Sequence, residues 1–491
     1  MLKNIIWEIK RKRKYKKTIV SFFLVFIFLC LILLFFSSKF NFNYSEDVSY
    51  LPKQEISVAD DFQGKLYFND EINGSKFKNL ILNSIEVAQK TIDISVYSIN
   101  MNEVVGALSS AQKRGVEVNI ILDKSKKKQH DIVFDKDLNL NILEMGSGSG
   151  REKTYMHHKF ALFDKDTENA KLLFGSFNYT YLQEKFDPSF ILETSNKDII
   201  NSFREEDDLM LSGVRGYQKI REDIYKPFAR KINYNNGFVE VWFSPGFKKN
   251  SIKQRMLDLI ESSHKNIDIL IWRLTDDDIV KKLIEKAQKK VQVRIITDDY
   301  YIWSNNSALR KLARDLRNNL IKDNIEIVSD LYRTLNFHNI KYSEKYFNPY
   351  LHQHALIVDD DIVLAGTNNW SYNGFFRNDE SILISDVDFW VNDFRSSFDH
   401  QYQELKNQDI SLEINENKVS ILGKNDNFIG AKLLIYNEFS EIEKVPEKCF
   451  EIVIDKESFS FDLNPKCNQE YSLLFILDED QNVLASTYLN F

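Results

Sequence analysis

Four of the chain's eight histidines lie in two short segments that share one pattern. The first reads Tyr155-Met156-His157-His158-Lys159-Phe160-Ala161-Leu162-Phe163-Asp164 and is followed by Gly175-Ser176-Phe177-Asn178. The second reads Leu351-His352-Gln353-His354-Ala355-Leu356-Ile357-Val358-Asp359 and is followed by Gly366-Thr367-Asn368-Asn369. Alternate residues of an extended chain project to one face, so His157 pairs with Lys159 and His352 with His354. Imidazole serves as nucleophile, acid or base near neutral pH. Amines and amides neutralise oxyanions. Breaking a phosphodiester needs these parts: a nucleophile, a proton donor for the leaving oxygen, and cations or amides around the other oxygens.

The elements that must carry these residues are duplicated as well. Lys90-Thr91-Ile92-Asp93-Ile94-Ser95-Val96-Tyr97 precedes a helical stretch and then Val116-Glu117-Val118-Asn119-Ile120-Ile121-Leu122-Asp123. Lys265-Asn266-Ile267-Asp268-Ile269-Leu270-Ile271-Trp272 precedes another helical stretch and then Val291-Gln292-Val293-Arg294-Ile295-Ile296-Thr297-Asp298. Ile92 and Ile267 are separated by the same number of positions as Asp123 and Asp298. Each copy reads strand, helix, strand, and the strands are β-branched and almost continuously apolar, as buried parallel strands are. Amphipathic helices are expected before each first strand, through Leu80, Ile81 and Ile85 and through Met256, Leu259 and Ile260. The expected fold is α/β, with two lobes that each hold a sheet between helices.

The motif pair resembles the HKD motifs of the phospholipase D and bacterial endonuclease superfamily, and the likeness extends over residues 60–405. That resemblance implies two α/β/α sandwich lobes related by a pseudo-twofold axis, an intramolecular pseudo-dimer with one active site. It implies that one histidine attacks phosphorus to give a phosphohistidine while the opposite histidine protonates the leaving group. Lys159, Asn178 and Asn369 would hold phosphoryl oxygens, with Ser176 and Thr367 beside them. Neither metal nor other cofactor is required. The catalytic set so implied is His157, Lys159, Asp164, His352, His354, Asp359 and Glu380, in which Asp164 and Asp359 support structure rather than touch substrate. His130, His158, His264, His338 and His400 are read as ordinary structural or surface histidines.

The two copies depart from the family pattern at different places. His354 stands where the family has lysine. Copy two keeps the family's N-x-E as Asn378-Asp379-Glu380, whereas the aligned place in copy one reads Asp187-Pro188-Ser189. The carboxylate is therefore missing at Ser189, and Asp187 is the nearest substitute. In the family this carboxylate orients the catalytic histidine of the opposite half. Glu380 is thus expected to support His157, which makes His157 the nucleophile and His352 the acid. The motifs leave phospholipid and nucleic acid open as substrates, and a non-catalytic binding or scaffold protein is a third reading.

The bulk of the chain bears on that choice. Residues 1–17 carry eight Lys or Arg against Glu8, a balance of +7, so the remainder carries −14 to reach the net −7. A body this acidic has no general attraction for nucleic acid, and any phosphate site in it must be locally basic. Residues 18–36 are nineteen residues without a charge. At about 1.5 Å per residue they nearly span a bilayer core of about 30 Å. Expected in order are a cytoplasmic basic segment (1–17), an uncleaved signal anchor (18–37), a stalk (38–60), lobe one (61–232), a link, lobe two (237–408) and a small β-sandwich (409–491). The basic run leaves the N-terminus cytoplasmic and the body across the membrane. Membrane insertion favours phospholipid as the partner. Tyr300, Tyr301, Trp303, Tyr332, Arg333, Phe337, Tyr342, Tyr346, Phe347 and Tyr350 form an aromatic cover before the second motif, read either as a substrate grip or as a packed flap. Cys449 and Cys467 form one disulfide if exported, or stay as two thiols.

Overall fold

In the computed structural model the described residues are 54–69, 76–129, 133, 140–146, 154–220, 229–246, 251–302, 304, 306–317, 324–329 and 351–407, with C-terminal strands beyond. The first half runs β1 (Gln54–Ser57), β2 (Lys65–Phe68), α1 (Lys76–Val87), β3 (Thr91–Val96), α2 (Asn102–Lys113), β4 (Glu117–Asp123) and β5 (Asn141–Met145). It continues through β6 (Lys159–Phe163), β7 (Lys171–Gly175), α3 (Tyr181–Phe186), β8 (Phe190–Thr194) and α4 (Lys197–Leu211). The second half runs β9 (Ala229–Tyr234), β10 (Gly237–Ser244), α5 (Ile252–Ser262), β11 (Asn266–Ile271), α6 (Asp277–Gln288), β12 (Gln292–Thr297), α7 (Asp299–Ile302), α8 (Leu309–Arg317) and β13 (Ile325–Ser329). It ends with β14 (Ala355–Val358), β15 (Ile362–Gly366), α9 (Tyr372–Phe376), β16 (Glu380–Ser385) and α10 (Asp388–Asn407).

The duplication seen in the sequence is a duplication of pairing. In one sheet the order is β2-β8-β7-β6-β3-β4-β5, and in the other it is β1-β9-β10-β16-β15-β14-β11-β12-β13. Seven strands correspond one to one, from β2 with β10 to β5 with β13. Register repeats too: β3 runs parallel to β4 with Ile92 beside Val118, and β11 parallel to β12 with Ile267 beside Val293. The apolar runs are buried on both faces, which explains why they do not alternate.

The second sheet is longer by β9 and β1, and this alters two expected boundaries. The segment 232–237, expected as a link, is the end of β9 and the turn into β10, with Tyr234 paired to Gly237. Asn235 and Asn236 supply the turn. The last stalk residues, 54–57, form β1 and pair parallel with β9. Ile232 and Tyr234 alternate inward, so β9 has an apolar face that burial in the sheet satisfies.

Between the sheets lies a common core. Phe160, Phe174 and Leu192 of the first sheet and Val241, Ile357 and Leu383 of the second pack with Phe203 of α4 and Trp390 and Phe394 of α10. α4 touches β6 and β10, and α10 touches β2, β14 and β15, so each helix reaches both sheets. Edge-on ring contacts cross between halves, Phe203 to Phe243 at 5.3 Å and Phe190 to Phe394 at 5.0 Å. Truncating a ring such as Trp390 there would cost about 3–5 kcal/mol. α1 and α2 cover the outer face of one sheet, α5 and α6 that of the other. This core fixes the two motif segments against each other.

After α10 come two small antiparallel sheets, one of strands 411–415, 418–422 and 460–462, the other of strands 432–437, 448–453, 471–477 and 483–490. Among the described residues no helix is long and apolar enough to cross a membrane. The expected basic segment, anchor and most of the stalk lie outside those residues, as does Cys467.

Candidate active site

Each motif strand runs out at an aspartate, and the strand after it ends at a glycine. Asp164 sits at φ 49° and its carboxylate accepts from the backbone N–H groups of Gln89, Lys90 and Thr91 at 2.6–3.1 Å. Asp359, at φ 54°, does the same for His264, Lys265 and Asn266 at 2.6–3.1 Å. Both aspartates thus cap the start of a strand of their own half, β3 for Asp164 and β11 for Asp359. At the far end, a Cβ on Gly175 would lie 1.9 Å from the Phe190 carbonyl oxygen, and one on Gly366 would lie 2.2 Å from that of Ser381. Only glycine lets the next strand approach there. The following Ser176 and Thr367 are thereby pressed against the opposite strand.

The histidines themselves precede the strands rather than lie within them. β6 begins at Lys159 and β14 at Ala355. The segment before each strand pairs with the other half: His157 N–H donates to Asp379 O, and His352 N–H donates to Pro188 O, both at 2.9 Å. Cross-lobe pairing therefore sets the height of each histidine. Alternation still holds, with Lys159 Nζ 3.3 Å from His157 Nε2 and the His352 and His354 rings 5.2 Å apart.

Around His157 the expected carboxylate is in place. Its Nδ1 lies 2.7 Å from Glu380 Oε2. Glu380 also accepts from Thr367 Oγ1 at 2.7 Å and from Asn378 Nδ2 at 3.0 Å. An acceptor at Nδ1 and a donating ammonium at Nε2 leave the lone pair on Nε2. Thr367 serves Glu380, and its hydroxyl also accepts from Ser381 N–H at 3.0 Å. That hydroxyl, expected beside the phosphoryl group, is thus engaged behind the histidine. Ser176 Oγ likewise accepts from Phe190 N–H at 3.1 Å. Tyr97 meets the His157 ring edge-on with centroids 4.9 Å apart.

His352 has a different partner. Its Nδ1 donates to the backbone carbonyl of Ser176 at 3.0 Å, while Ser189 Oγ turns away to Asp187 O at 3.1 Å. The lost carboxylate is thus replaced by a main-chain oxygen. Trp272, the counterpart of Tyr97, stacks on His352 at 5.8 Å. Of the expected aromatic cover, Tyr300 and Tyr301 lie in α7, and Tyr301 meets Trp272 edge-on at 4.8 Å. Trp303, Tyr332, Arg333, Phe337, Tyr342, Tyr346, Phe347 and Tyr350 lie outside the described residues. His354 is 1% exposed, and among the described residues neither of its ring nitrogens lies within ordinary hydrogen-bond geometry of a partner. The buried side-chain oxygens of Asn178 and Asn369 are also unpartnered.

Residues 81–208 and 256–402, each holding one complete motif, match the family model described as cardiolipin synthase, PLD-like domain. The chain belongs to the PLD-like family. It is similar to a phospholipase D of Rickettsia bellii (strain RML369-C), 28% identical over 123 residues, which cover 25% of this chain and 58% of that protein. It is also similar to a mitochondrial cardiolipin hydrolase of Xenopus laevis, 21% identical over 155 residues, 32% of this chain and 63% of the relative. Cardiolipin synthase A of Buchnera aphidicola subsp. Acyrthosiphon pisum (strain APS) is 23% identical over 350 residues, 66% of each chain. The chain thus spans less than two thirds of the first two relatives' length.

The electrostatics of this PLD-like site are those of buried bases. Burial lowers the pKa of His157, His352 and His354 well below the ordinary histidine value, and for all three the neighbouring Lys159 depresses it further. Burial pushes Lys159 down to about 7, while Glu380 and Asp123 pull it back up. Glu380 is moved the other way, up to about 8 by burial, against Lys159, Asn378 and Thr367. Burial thus disfavours the charged forms of both Lys159 and Glu380, which steady each other among the buried histidines. An entering anion would favour every charged base at once.

Several residues that shape the site carry no local sequence signal. Asp123, at the end of β4, accepts from Met156 N–H at 2.8 Å and so holds the approach to His157. His158, read from sequence as ordinary, is fully buried; its Nε2 meets Glu206 Oε1 at 2.9 Å and its Nδ1 meets Ser381 Oγ at 3.2 Å. Ligand atoms of His158, Glu206 and Asp379 converge as a metal set would. Lys219 Nζ bonds to both carboxylates, so the cation in this cluster is the chain's own ammonium.

Proposed function

We propose that this PLD-like chain is a metal-independent phosphodiesterase that cleaves phospholipid through a phosphohistidine on His157. The observation that carries the reading is the buried set of His157, Lys159, His352 and His354 with Glu380 as its one carboxylate, an arrangement that an anionic phosphodiester completes. In the first step Nε2 of His157 bonds to phosphorus and the bond from phosphorus to the head-group oxygen breaks. His352, protonated once the phosphate anion is bound, gives its proton to that oxygen. Glu380 accepts at Nδ1 and stabilises the positive charge that develops on the His157 ring. Lys159, His354 and the amides of Asn178 and Asn369 donate to the non-bridging oxygens. In the second step water gives its proton to His352 and its oxygen to phosphorus, and the P–N bond breaks to release the phosphatidyl product. An alcohol in place of that water makes the same site a transferase, so the acceptor decides between hydrolysis and synthesis.

Phospholipid is favoured over nucleic acid by the acidic body and by the apolar run at 18–36 after a basic segment, which we read as a signal anchor with the catalytic body outside the cytoplasm. The test uses the full chain in detergent with phosphate-labelled phosphatidylcholine, cardiolipin and single-stranded DNA, with and without EDTA. Lipid cleavage that survives EDTA is expected, with trapped label mapping to the peptide of His157. Cleavage of DNA alone, loss of activity on chelation restored by a divalent metal, or label on His352 that persists in His157→Ala would each overturn the reading.

A further inference from the structure

Behind His157 lies a second cluster of titratable groups that the proposed chemistry does not touch. Lys219 is 0% exposed and its Nζ bonds to Glu206 Oε1 and, at 2.7 Å, to Asp379 Oδ1. Asp379 Oδ1 also accepts from Gly216 N–H at 2.7 Å, so the short turn at 216–220 grips one carboxylate with both main chain and side chain. His158 completes the group between Glu206 of α4 and Ser381 of β16. Asp379 and Ser381 flank Glu380. Asp379 also exchanges main-chain bonds with the first motif, from His157 N–H to its carbonyl and from its own N–H to Tyr155 O, both at 2.9 Å.

The second half of the molecule supplies a built-in comparison. There Gln353 replaces His158 and bonds to Ser397 Oγ at 3.2 Å and to Gln401 Nε2 at 2.7 Å. Pro188 replaces Asp379 as the acceptor for a histidine N–H. Where the orienting carboxylate has become Ser189, the corresponding network is uncharged among the described residues. Where Glu380 is kept, the network holds a buried lysine, two carboxylates and a histidine. Such a charged set is costly to bury and is strongly disfavoured once one partner is removed. Among the described residues the other half of the same fold holds no such charged set.

We infer that Lys219 is a positioning residue: by clamping Asp379 to Glu206 it fixes the segment 378–381 and so holds the Glu380 carboxylate on His157. This inference rests on the role given to His157 above. Burial would raise the Glu206 carboxyl, but Lys219 and His158 together outweigh it and hold Glu206 down to about 2, so this carboxylate stays charged across the working pH range.

Three full-chain variants test it: Lys219→Met, Lys219→Arg, and a neutral set combining His158→Gln, Glu206→Gln, Lys219→Met and Asp379→Asn. Each is followed by thermal melting, by kcat and KM on phosphatidylcholine vesicles, and by the low-field proton resonance of His157 Nδ1–H in histidine-labelled protein. A displacement near 1 Å at a reacting group costs about 100-fold. We expect kcat to fall by about that factor with KM unchanged in Lys219→Met and in the neutral set, with the resonance broadened or lost, and partial recovery in Lys219→Arg. Should Lys219→Met fail to fold, the neutral set, which leaves no unpaired buried charge, decides. Should that also fail, a shifted resonance in folded Lys219→Arg supports the clamp and an unchanged one counts against it. A folded neutral set with wild-type kcat, pH profile and resonance overturns the inference. If the wild-type chain cleaves no phosphodiester, the proposed function fails, and the resonance still reports on the clamp.

Discussion

Glu380→Gln separates the two halves of the site most sharply. Glu380 accepts three hydrogen bonds, from His157 Nδ1 and Thr367 Oγ1 at Oε2 and from Asn378 Nδ2 at Oε1. Glutamine can keep its oxygen towards His157 and Thr367 only by turning its NH2 onto Asn378 Nδ2. Asn378 is not free to flip, because its Oδ1 accepts from Tyr155 N–H at 3.1 Å. The loss of a charged acceptor is worth about 1.5–3 kcal/mol, and the donor facing a donor about 1 kcal/mol more. Together these predict a fall in kcat of about 100- to 1,000-fold wherever Glu380 is ionised. The aligned residue gives the control: Ser189 Oγ donates only to Asp187 O, so Ser189→Ala should change kcat by less than about threefold. Stability should move oppositely to activity. Burial raises the Glu380 carboxyl to about 8 from an unfolded value near 4.5, so the folded protein binds this proton more tightly. Its contribution is fully present below the unfolded value and is lost as pH rises towards 8. Glutamine has nothing to lose, so the Tm of the variant relative to wild type should rise between pH 5 and pH 8. Equal kcat losses in Glu380→Gln and Ser189→Ala, or a Tm difference independent of pH, would refute the assignment of His157 as the nucleophile supported by Glu380.

Four further outcomes follow from the same geometry. Burial pushes Lys159 down to about 7, so its charged form is lost as pH rises through neutrality; the alkaline limb of kcat/KM should lie near pH 7, and Asp123→Asn, which removes a supporting charge, should move it lower. His354, whose burial disfavours its charged form, offers bound phosphate less positive charge near pH 8 than a lysine would; His354→Lys should raise kcat near pH 8 and flatten the alkaline limb, and an unchanged profile would remove His354 from the phosphate site. Asp164→Ala leaves three backbone N–H groups without their acceptor at a position of positive φ; urea titration should show a loss of about 2–4 kcal/mol, with kcat of the folded fraction retained. Protease added outside intact spheroplasts should degrade the body from the region of residue 40, and protection would overturn the proposed orientation.

What the sequence made legible divides along physical lines. The paired strands around Ile92 and Ile267, their register and the two motifs depend on apolar pattern and short spacing, and these are written locally. Glu380 is legible through the resemblance, since copy two keeps the family's N-x-E, and aligning the repeats sets Ser189 against it. The Ser176 carbonyl that serves His352 was hidden, because a main-chain oxygen has no residue type to mark it. Lys219, Glu206 and His158 were hidden for another reason: they meet only after α4 and the turn at 216–220 fold back onto β16, and no short window contains them. The turn between β9 and β10 was misread as a link because the apolar face of β9 is short and its partner strand begins at once.

These two kinds of information fall on different levels of the molecule. Apolar residues repeat faithfully and produce two equivalent scaffolds, down to a cap by Asp164 or Asp359 and a close approach at Gly175 or Gly366. Polar residues diverge, and they do so together: Glu380 against Ser189, Asp379 against Pro188, His158 against Gln353, and Lys159 against His354. Every charged member of these pairs lies on or beside His157, while His352 is left with a carbonyl, a tryptophan face and a neutral imidazole. A nucleophile must be oriented and its developing positive charge neutralised, which requires fixed carboxylate and ammonium groups. An acid that is charged only when phosphate is bound works best where no resident carboxylate holds its proton. The symmetric scaffold brings the two histidines to one place, and in the proposed mechanism the asymmetric charges are what give them different work.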